Sequence, residues 1–137
     1  MADEGVLQLE IATPERQVVE TEVLEVQVPC LDGFIGVLPG HSALLSELKP
    51  GVLTYRTAKE TKVVALYGGV VEVLPDRVRV LADGAERKED IDVRKAQEEL
   101  EAASKVLEAD GIEADPAVAL FAAQRAEARL EAATRKI

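Results

Sequence analysis

GFIGVLPGHSALL, residues 33–45, is the stretch from which the fold of this chain is best read. It holds three of the nine glycines, the only histidine and one of the two phenylalanines. Glycines set among Phe34, Ile35, Val37 and Leu38 mark positive φ, a bulge, or close approach by another backbone. Pro39-Gly40 is a turn dipeptide, because proline presets φ and glycine accepts positive values. The stretch therefore predicts a short strand, a sharp corner and a second strand beginning near Ser42. Such a corner carries Phe34, Pro39 and His41 on its exposed rim. The residues alone leave two readings of that rim, a docking surface or a corner that serves only the fold.

Moving outward, composition changes near residue 85. Eight of the nine glycines and five of the six prolines lie before it, whereas Ala, Glu, Arg and Leu dominate after Ile91. Strand formers give way to helix formers. This division predicts an N-terminal β-sandwich over residues 1–86 and a C-terminal antiparallel α-helical hairpin over residues 87–137. In the first region, residues 6–11 alternate as a half-buried strand stopped at Thr13-Pro14, and residues 18–28 read as a longer strand or strand pair. Lys49-Pro50-Gly51, Gly68-Gly69 and Pro75-Asp76 read as turns, and residues 57–61 as a polar hairpin tip. About eight to ten short antiparallel strands with no helix between them, and about ten at the fullest count, mean a sandwich or barrel, with the sandwich preferred.

In the second region Val93, Ala96, Leu100, Ala103 and Leu107 form one helical stripe, with Asp90 or Asp92 as the N-cap. Asp110-Gly111 ends that helix, and Asp115-Pro116 opens the next as N-cap and first helical residue. Ala119, Ala123, Ala126, Leu130, Ala133 and Ile137 continue the seam. The short connection makes the helices antiparallel neighbours. A buried methyl contributes roughly 0.8 kcal/mol against about 1.5–3 for a leucine side chain. A seam this rich in alanine holds the hairpin weakly, so the hairpin is expected to move as a unit.

Of 137 residues, 47% are apolar and 31% charged, which is a globular composition large enough for its own core. The formal net charge of -10 argues against nucleic acid or anionic lipid as the main partner. One cysteine, Cys30, excludes an internal disulfide and suits a reducing compartment; after a proline at a strand end it reads as a packed side chain. With no signal-like opening and no spanning apolar run, the chain is expected to be soluble.

Catalytic chemistry finds little support. A single histidine and a single cysteine cannot build a zinc finger or a histidine cage, and no metal site is expected. His41 and Ser42, as adjacent strand residues, face opposite sides and form no nucleophile–base pair. Gly33, Gly36 and Gly40 lack the spacing and the lysine of a phosphate loop. Arg125 and Arg129 share one helix face and repel unless an anion lies between them. Glu127, Glu131 or acids on the first helix are one such anion; a phosphate-bearing ligand or an acidic partner is the other.

Several separated motifs carry a family resemblance. They are Ala12-Thr13-Pro14-Glu15-Arg16, the 33–41 corner with the following Leu44-Leu45 and Leu48-Lys49-Pro50-Gly51, Gly68-Gly69-Val70-Val71-Glu72-Val73, and Val80-Leu81-Ala82-Asp83-Gly84-Ala85. In this order, over nearly the whole chain, they resemble the epsilon subunit of bacterial and chloroplast F-type ATP synthases. The resemblance implies a ten-stranded sandwich with a two-helix hairpin, and a non-catalytic subunit of the rotating central stalk. Phe34, Pro39, Gly40 and His41 are then the interface toward the ring of c subunits and gamma; some members carry an acidic residue where Phe34 stands. The hairpin is implied to lie folded on the sandwich or to extend toward the alpha and beta subunits, where it restrains ATP hydrolysis.

In some bacterial members ATP binds the folded hairpin, as a regulatory ligand and not a required cofactor. The pattern (I/L)-D-x-x-R-A falls on residues 91–96, with Lys95 where arginine is usual. A-x-x-R-A-x-x-R-L falls on residues 122–130. The resemblance thus implies Asp92, Lys95, Arg125 and Arg129 as candidate ATP contacts, lysine lacking arginine's planar fork. It also implies a peripheral position on the cytoplasmic face of a bacterial membrane, or the thylakoid stromal face, without membrane insertion or nucleic-acid binding. The alternative is a free-standing β-sandwich adaptor that binds protein through the 33–41 corner.

Overall fold

Alternating apolar and polar residues build eight strands in the computed structural model, which describes residues 5–108 and 115–136. The strands are β1 Leu7–Ala12, β2 Gln17–Val23, β3 Glu25–Cys30, β4 Gly33–Val37, β5 Leu44–Arg56, β6 Thr61–Leu74, β7 Arg77–Ala82 and β8 Ala85–Arg87. A single 3₁₀ turn, Lys88–Asp90, leads to α1 Val93–Glu108 and α2 Pro116–Thr134. Hydrogen bonding runs in the order β2-β1-β7-β6-β5-β3-β4, with β8 paired to β6.

The class read from the sequence, a β-sandwich followed by a helical hairpin, is the one observed; the strand count and two of the turns differ. Lys49-Pro50-Gly51 and Gly68-Gly69 lie inside β5 and β6, two strands of 13 and 14 residues. Proline and glycine there mark a bend within paired strands. Leu48 pairs with Gly69 and Pro50 with Tyr67, while no pair forms between Lys49 and Gly68. Across this lapse the inward-facing residues change parity. On β5 they are Leu48, then Leu53 and Tyr55; on β6 they are Val64 and Leu66, then Val71 and Val73. Strand side chains alternate with period two, so this switch needs irregular backbone on both strands at one level. Merging two pairs of expected strands brings the count from about ten to eight. The sheet is also not wholly antiparallel, since β1 and β7 run parallel.

Between the layers lies a core of Leu7, Leu9, Ile11, Val26, Val28, Val37, Leu53, Leu66, Val71, Val78 and their neighbours. Cys30 belongs to it at 1% exposure, and burial pushes its thiol pKa up, which suits a packed side chain. The expected tip at residues 57–61 is present, Thr57 Oγ1 accepting from the Lys59 and Glu60 amides at 3.2 and 3.1 Å. The division at 86/87 falls inside β8, so the sheet continues to Arg87.

Asp92, and not Asp90, caps α1: its Oδ1 accepts from the Lys95 amide at 3.0 Å and its carbonyl from the Ala96 amide at 3.0 Å. Asp115 caps α2, with Pro116 as the first helical residue. The Asp110-Gly111 stop and Ile137 lie outside the described residues. Ala96, Ala103, Ala119, Ala123 and Ala126 are buried as the seam requires. Ala128 and Ala132, unrecognised in the sequence, are buried on a second face of α2 against Val52, Val63, Ala65 and Tyr67. α2 is therefore the helix that packs on β5 and β6, and α1 packs on α2.

Gly69 is where the bend tolerates least change. Its φ is +122°, and an added Cβ would lie 2.2 Å from the Leu81 carbonyl oxygen and 2.8 Å from Ala82 Cα. Both obstacles are backbone, so no side-chain rotation relieves them. Gly69→Ala is expected to destabilise the isolated chain by at least about 3 kcal/mol in urea unfolding. Gly36→Ala, with open space around the new methyl, is expected to stay within about 0.5 kcal/mol.

Candidate functional site

Two regions hold the residues singled out above. The first is the rim around the 33–41 corner. Phe34 lies on β4 opposite Pro29, is 57% exposed, and has the Lys49 ammonium 5.6 Å from its ring centre. Leu31, Leu38 and Leu45 are also well exposed. Pro39 and His41 are half buried and Gly40 exposed. Gly40 has φ +88° and donates its amide to the Pro75 carbonyl at 2.8 Å. The corner is thus braced on the β6–β7 turn, whereas Phe34 sits beside Lys49.

Residues 38–43 belong to no strand, and β5 begins at Leu44, two residues later than expected. The opposite-faces argument for His41 and Ser42 therefore fails. His41 instead places Nδ1 2.7 Å from the Ser42 carbonyl oxygen. A carbonyl only accepts, so Nδ1 carries the proton and Nε2 remains an acceptor in the neutral ring.

The second region joins the hairpin to the sheet. Arg129, on α2, points its Nε at Glu86 Oε1 (2.5 Å) and Tyr67 Oη (3.0 Å), and one terminal nitrogen at both Glu99 oxygens (2.9 Å each). Its guanidinium also lies 5.3 Å from the Tyr67 ring centre. Tyr67 donates its hydroxyl to Glu86 Oε1 at 2.6 Å. Arg125, one turn earlier, approaches Glu99 at 3.9 Å and lies 5.9 Å from the Phe121 ring centre. Two adjacent cations are balanced by two carboxylates, one from β8 and one from α1.

Burial and the hydrogen bond to Glu86 both hold the Tyr67 hydroxyl in its neutral form, so its pKa is raised well above 10. For Arg129, burial works against the cation, but the bonds to Tyr67 and Glu86 outweigh it and raise the pKa. Tyr55, on the inner face, is also raised, by burial and then by the charges of Glu89 and Glu60.

Of the four residues implied as ATP contacts, only Arg125 and Arg129 come together. Asp92 is engaged in capping α1 and Lys95 is exposed on that helix. The anion between the arginines is Glu99, an acid on the first helix. In this arrangement the Arg129 guanidinium is already held by Glu86, Tyr67 and Glu99, whereas the buried Arg125 Nε has no hydrogen-bond partner among the described residues. Neither carboxylate was singled out by spacing, and Tyr67 read only as a strand residue. Their only sequence signal was the arginine pair, which demanded an anion without naming it.

The family model described as the beta-sandwich domain of the ATP synthase Delta/Epsilon chain matches residues 6–88. A protein of Solibacter usitatus named ATP synthase epsilon chain is 49% identical over 130 residues, covering 95% of this chain and 97% of its own. The chain belongs to the ATP synthase epsilon chain family. Epsilon chains of Moorella thermoacetica (44% identity, 93% of this chain and 96% of that one) and Koribacter versatilis (45%, 82% and 78%) agree. Among solved structures, a chain of the Euglena gracilis mitochondrial ATP synthase superposes with a TM-score of 0.82 at 24% identity, covering 96% of this chain and 82% of that one. One in the central stalk and c-ring of the Tetrahymena thermophila enzyme gives 0.58 at 18%, covering 93% of each. At these identities the likeness is one of fold. Among the described residues of this epsilon-family chain, no helix is long and apolar enough to cross a membrane.

The raised tyrosines give a direct optical test. A tyrosine whose folded pKa exceeds its unfolded value contributes stability that is complete below the unfolded pKa near 10. That stability is lost as pH rises through the folded pKa. Phenolate absorbance of the native chain is therefore expected to stay low at pH 10 and rise only above it, for both tyrosines. The denatured chain is expected to titrate near 10, and Tyr67→Phe to remove the more strongly shifted step.

Proposed function

We propose that this epsilon-family chain is a non-catalytic subunit of the central stalk of an ATP synthase. Its sandwich takes part in passing rotation between the ring of c subunits and gamma, and its hairpin restrains ATP hydrolysis. The observation that carries this reading is the extent of the likeness: relatives named ATP synthase epsilon chain match both the sandwich and the hairpin, over 95% of this chain in one case. The exposed group of Leu31, Phe34, Leu38 and Leu45 offers an apolar surface beside Pro39 and His41 for the ring and gamma. Residues 87–137 reach the alpha and beta subunits when the hairpin extends. In this reading the chain requires no cofactor and sits peripherally, on the cytoplasmic face of a bacterial membrane.

Removing residues 88–137 keeps all eight strands. The truncated chain is expected to assemble with alpha, beta and gamma and to raise ATP hydrolysis by the complex severalfold. Unchanged hydrolysis would remove the inhibitory role and leave the stalk role. Failure of the full-length chain to co-purify with those subunits would remove both and leave the free-standing adaptor.

Phe34→Ala and His41→Ala address the rim. Phe34 is exposed and His41 half buried on a loop, with its ring bonded to the neighbouring Ser42 carbonyl, so each variant is expected to unfold within about 1 kcal/mol of wild type. Proton pumping driven by ATP hydrolysis in reconstituted vesicles is expected to fall. A large loss of stability in the free chain, with pumping per folded complex preserved, would show that the corner serves only the fold.

A further inference from the structure

Arg129 is bonded at once to β6 through Tyr67, to β8 through Glu86 and to α1 through Glu99. Among the described residues, the other hold on α1 is its packing on α2, which in turn packs on β5 and β6. The buried residues of α1 are Ala96 and Ala103. Glu99 also faces Arg125, so it quiets the repulsion between two cations one turn apart. The side chains of Arg129, Glu86 and Glu99 keep only 20–25% exposure, so solvent screens this cluster less than the surface pairs Arg94–Glu98 and Lys105–Glu101.

We propose that Glu86 and Glu99, closing on Arg129 from the sheet and from α1, form an intramolecular latch that holds the hairpin docked without a nucleotide. This rests on the reading of the hairpin as a movable regulator. The carboxylates occupy the guanidinium that a phosphate would otherwise receive, so docking draws its anion from the chain itself. Undocking the hairpin then breaks the Arg129 bonds to Glu86 and Tyr67, and parting its two helices breaks those to Glu99. An extending partner competes with that cluster, with the bonds of Arg135 to Thr54 and Lys88 at the end of α2, and with the apolar contact of Ala128 and Ala132 on Val52, Val63 and Tyr67.

Hydrogen exchange of the full-length chain, followed by amide, tests the latch. In wild type without nucleotide, α1 and α2 amides are expected to be protected, and ATP at millimolar concentration to leave that protection unchanged. Glu99→Gln and Arg129→Gln are each expected to speed exchange in the helices about tenfold, the scale of one charged hydrogen bond in a partly exposed site. Strands β1–β7 are expected to keep wild-type protection. Because both residues belong to one contact, the double variant is expected to exchange no faster than Arg129→Gln alone.

Unchanged helix exchange in the single variants, or additive effects in the double, would overturn the latch. Helix protection that appears only when ATP is added would overturn its independence from nucleotide. Loss of protection in the strands as well would also overturn it, since the cluster would then be part of the sheet and no catch on the hairpin. None of these outcomes depends on hydrolysis by the assembled complex, so the latch and the inhibitory role fail separately.

Discussion

β5 and β6 have two apolar faces along the same stretch, and both must be covered. Leu53, Tyr55, Val64 and Leu66 face the sandwich interior, while Val52, Val63, Ala65 and Tyr67 face outward. The second sheet layer covers the first set. Among the described residues α2, through Ala128 and Ala132, covers the second, with Ile91 packed beside it. Small side chains on the helix bring its backbone close enough for the valines and the Tyr67 ring to lose water. The apolar gain in this contact therefore comes mostly from the sheet, and the helix supplies a close-fitting cover.

On the helix side, two alanine methyls contribute about 1.6 kcal/mol at roughly 0.8 kcal/mol each, and covering Val52 and Val63 adds about 1.5–3 kcal/mol apiece. A hydrogen bond to a charged group is worth about 1.5–3 kcal/mol, less where solvent reaches it. Arg129 and its two carboxylates, a fifth to a quarter exposed, thus add to the apolar contact and do not exceed it. Both contributions act at one contact, so the position of α2 on the sheet depends on the two together.

How much of this was readable in the sequence follows from the kind of information each feature needs. Alternation, the change of composition near residue 85 and the Asp115-Pro116 start are local, and they gave the sandwich, the hairpin and the α2 cap. The turns assigned to Lys49-Pro50-Gly51 and Gly68-Gly69 were misplaced for a physical reason. Glycine and proline announce departure from extended geometry, but not whether the chain reverses or only bends while its neighbour bends with it. Parity settles the matter: Val63, Ala65 and Tyr67 look identical in sequence to an inward set until α2 is known to lie on them. Ala128 and Ala132 were invisible for the same reason, since one seam already accounted for the alanines of α2. Glu86 and Glu99 are two among 26 acidic residues, and only the fold brings them to one arginine.

The bend also relates the two functional regions. The half of β5 that begins at Leu44 and Leu45 runs beside the rim, and the half from Val52 onward lies beneath α2, so one pair of strands serves both. A lapse in pairing at Lys49 and Gly68 would be a loose joint if space surrounded it. Space is absent: Gly69 leaves no room for a methyl against the β7 backbone. Around it, the Asp83 amide donates to the Gly68 carbonyl and the Tyr67 amide to the Gly84 carbonyl, both at 3.0 Å. A bend braced in this way is a fixed feature of the fold and not a loose joint, so one pair of strands holds the rim and the face under α2 in a single geometry.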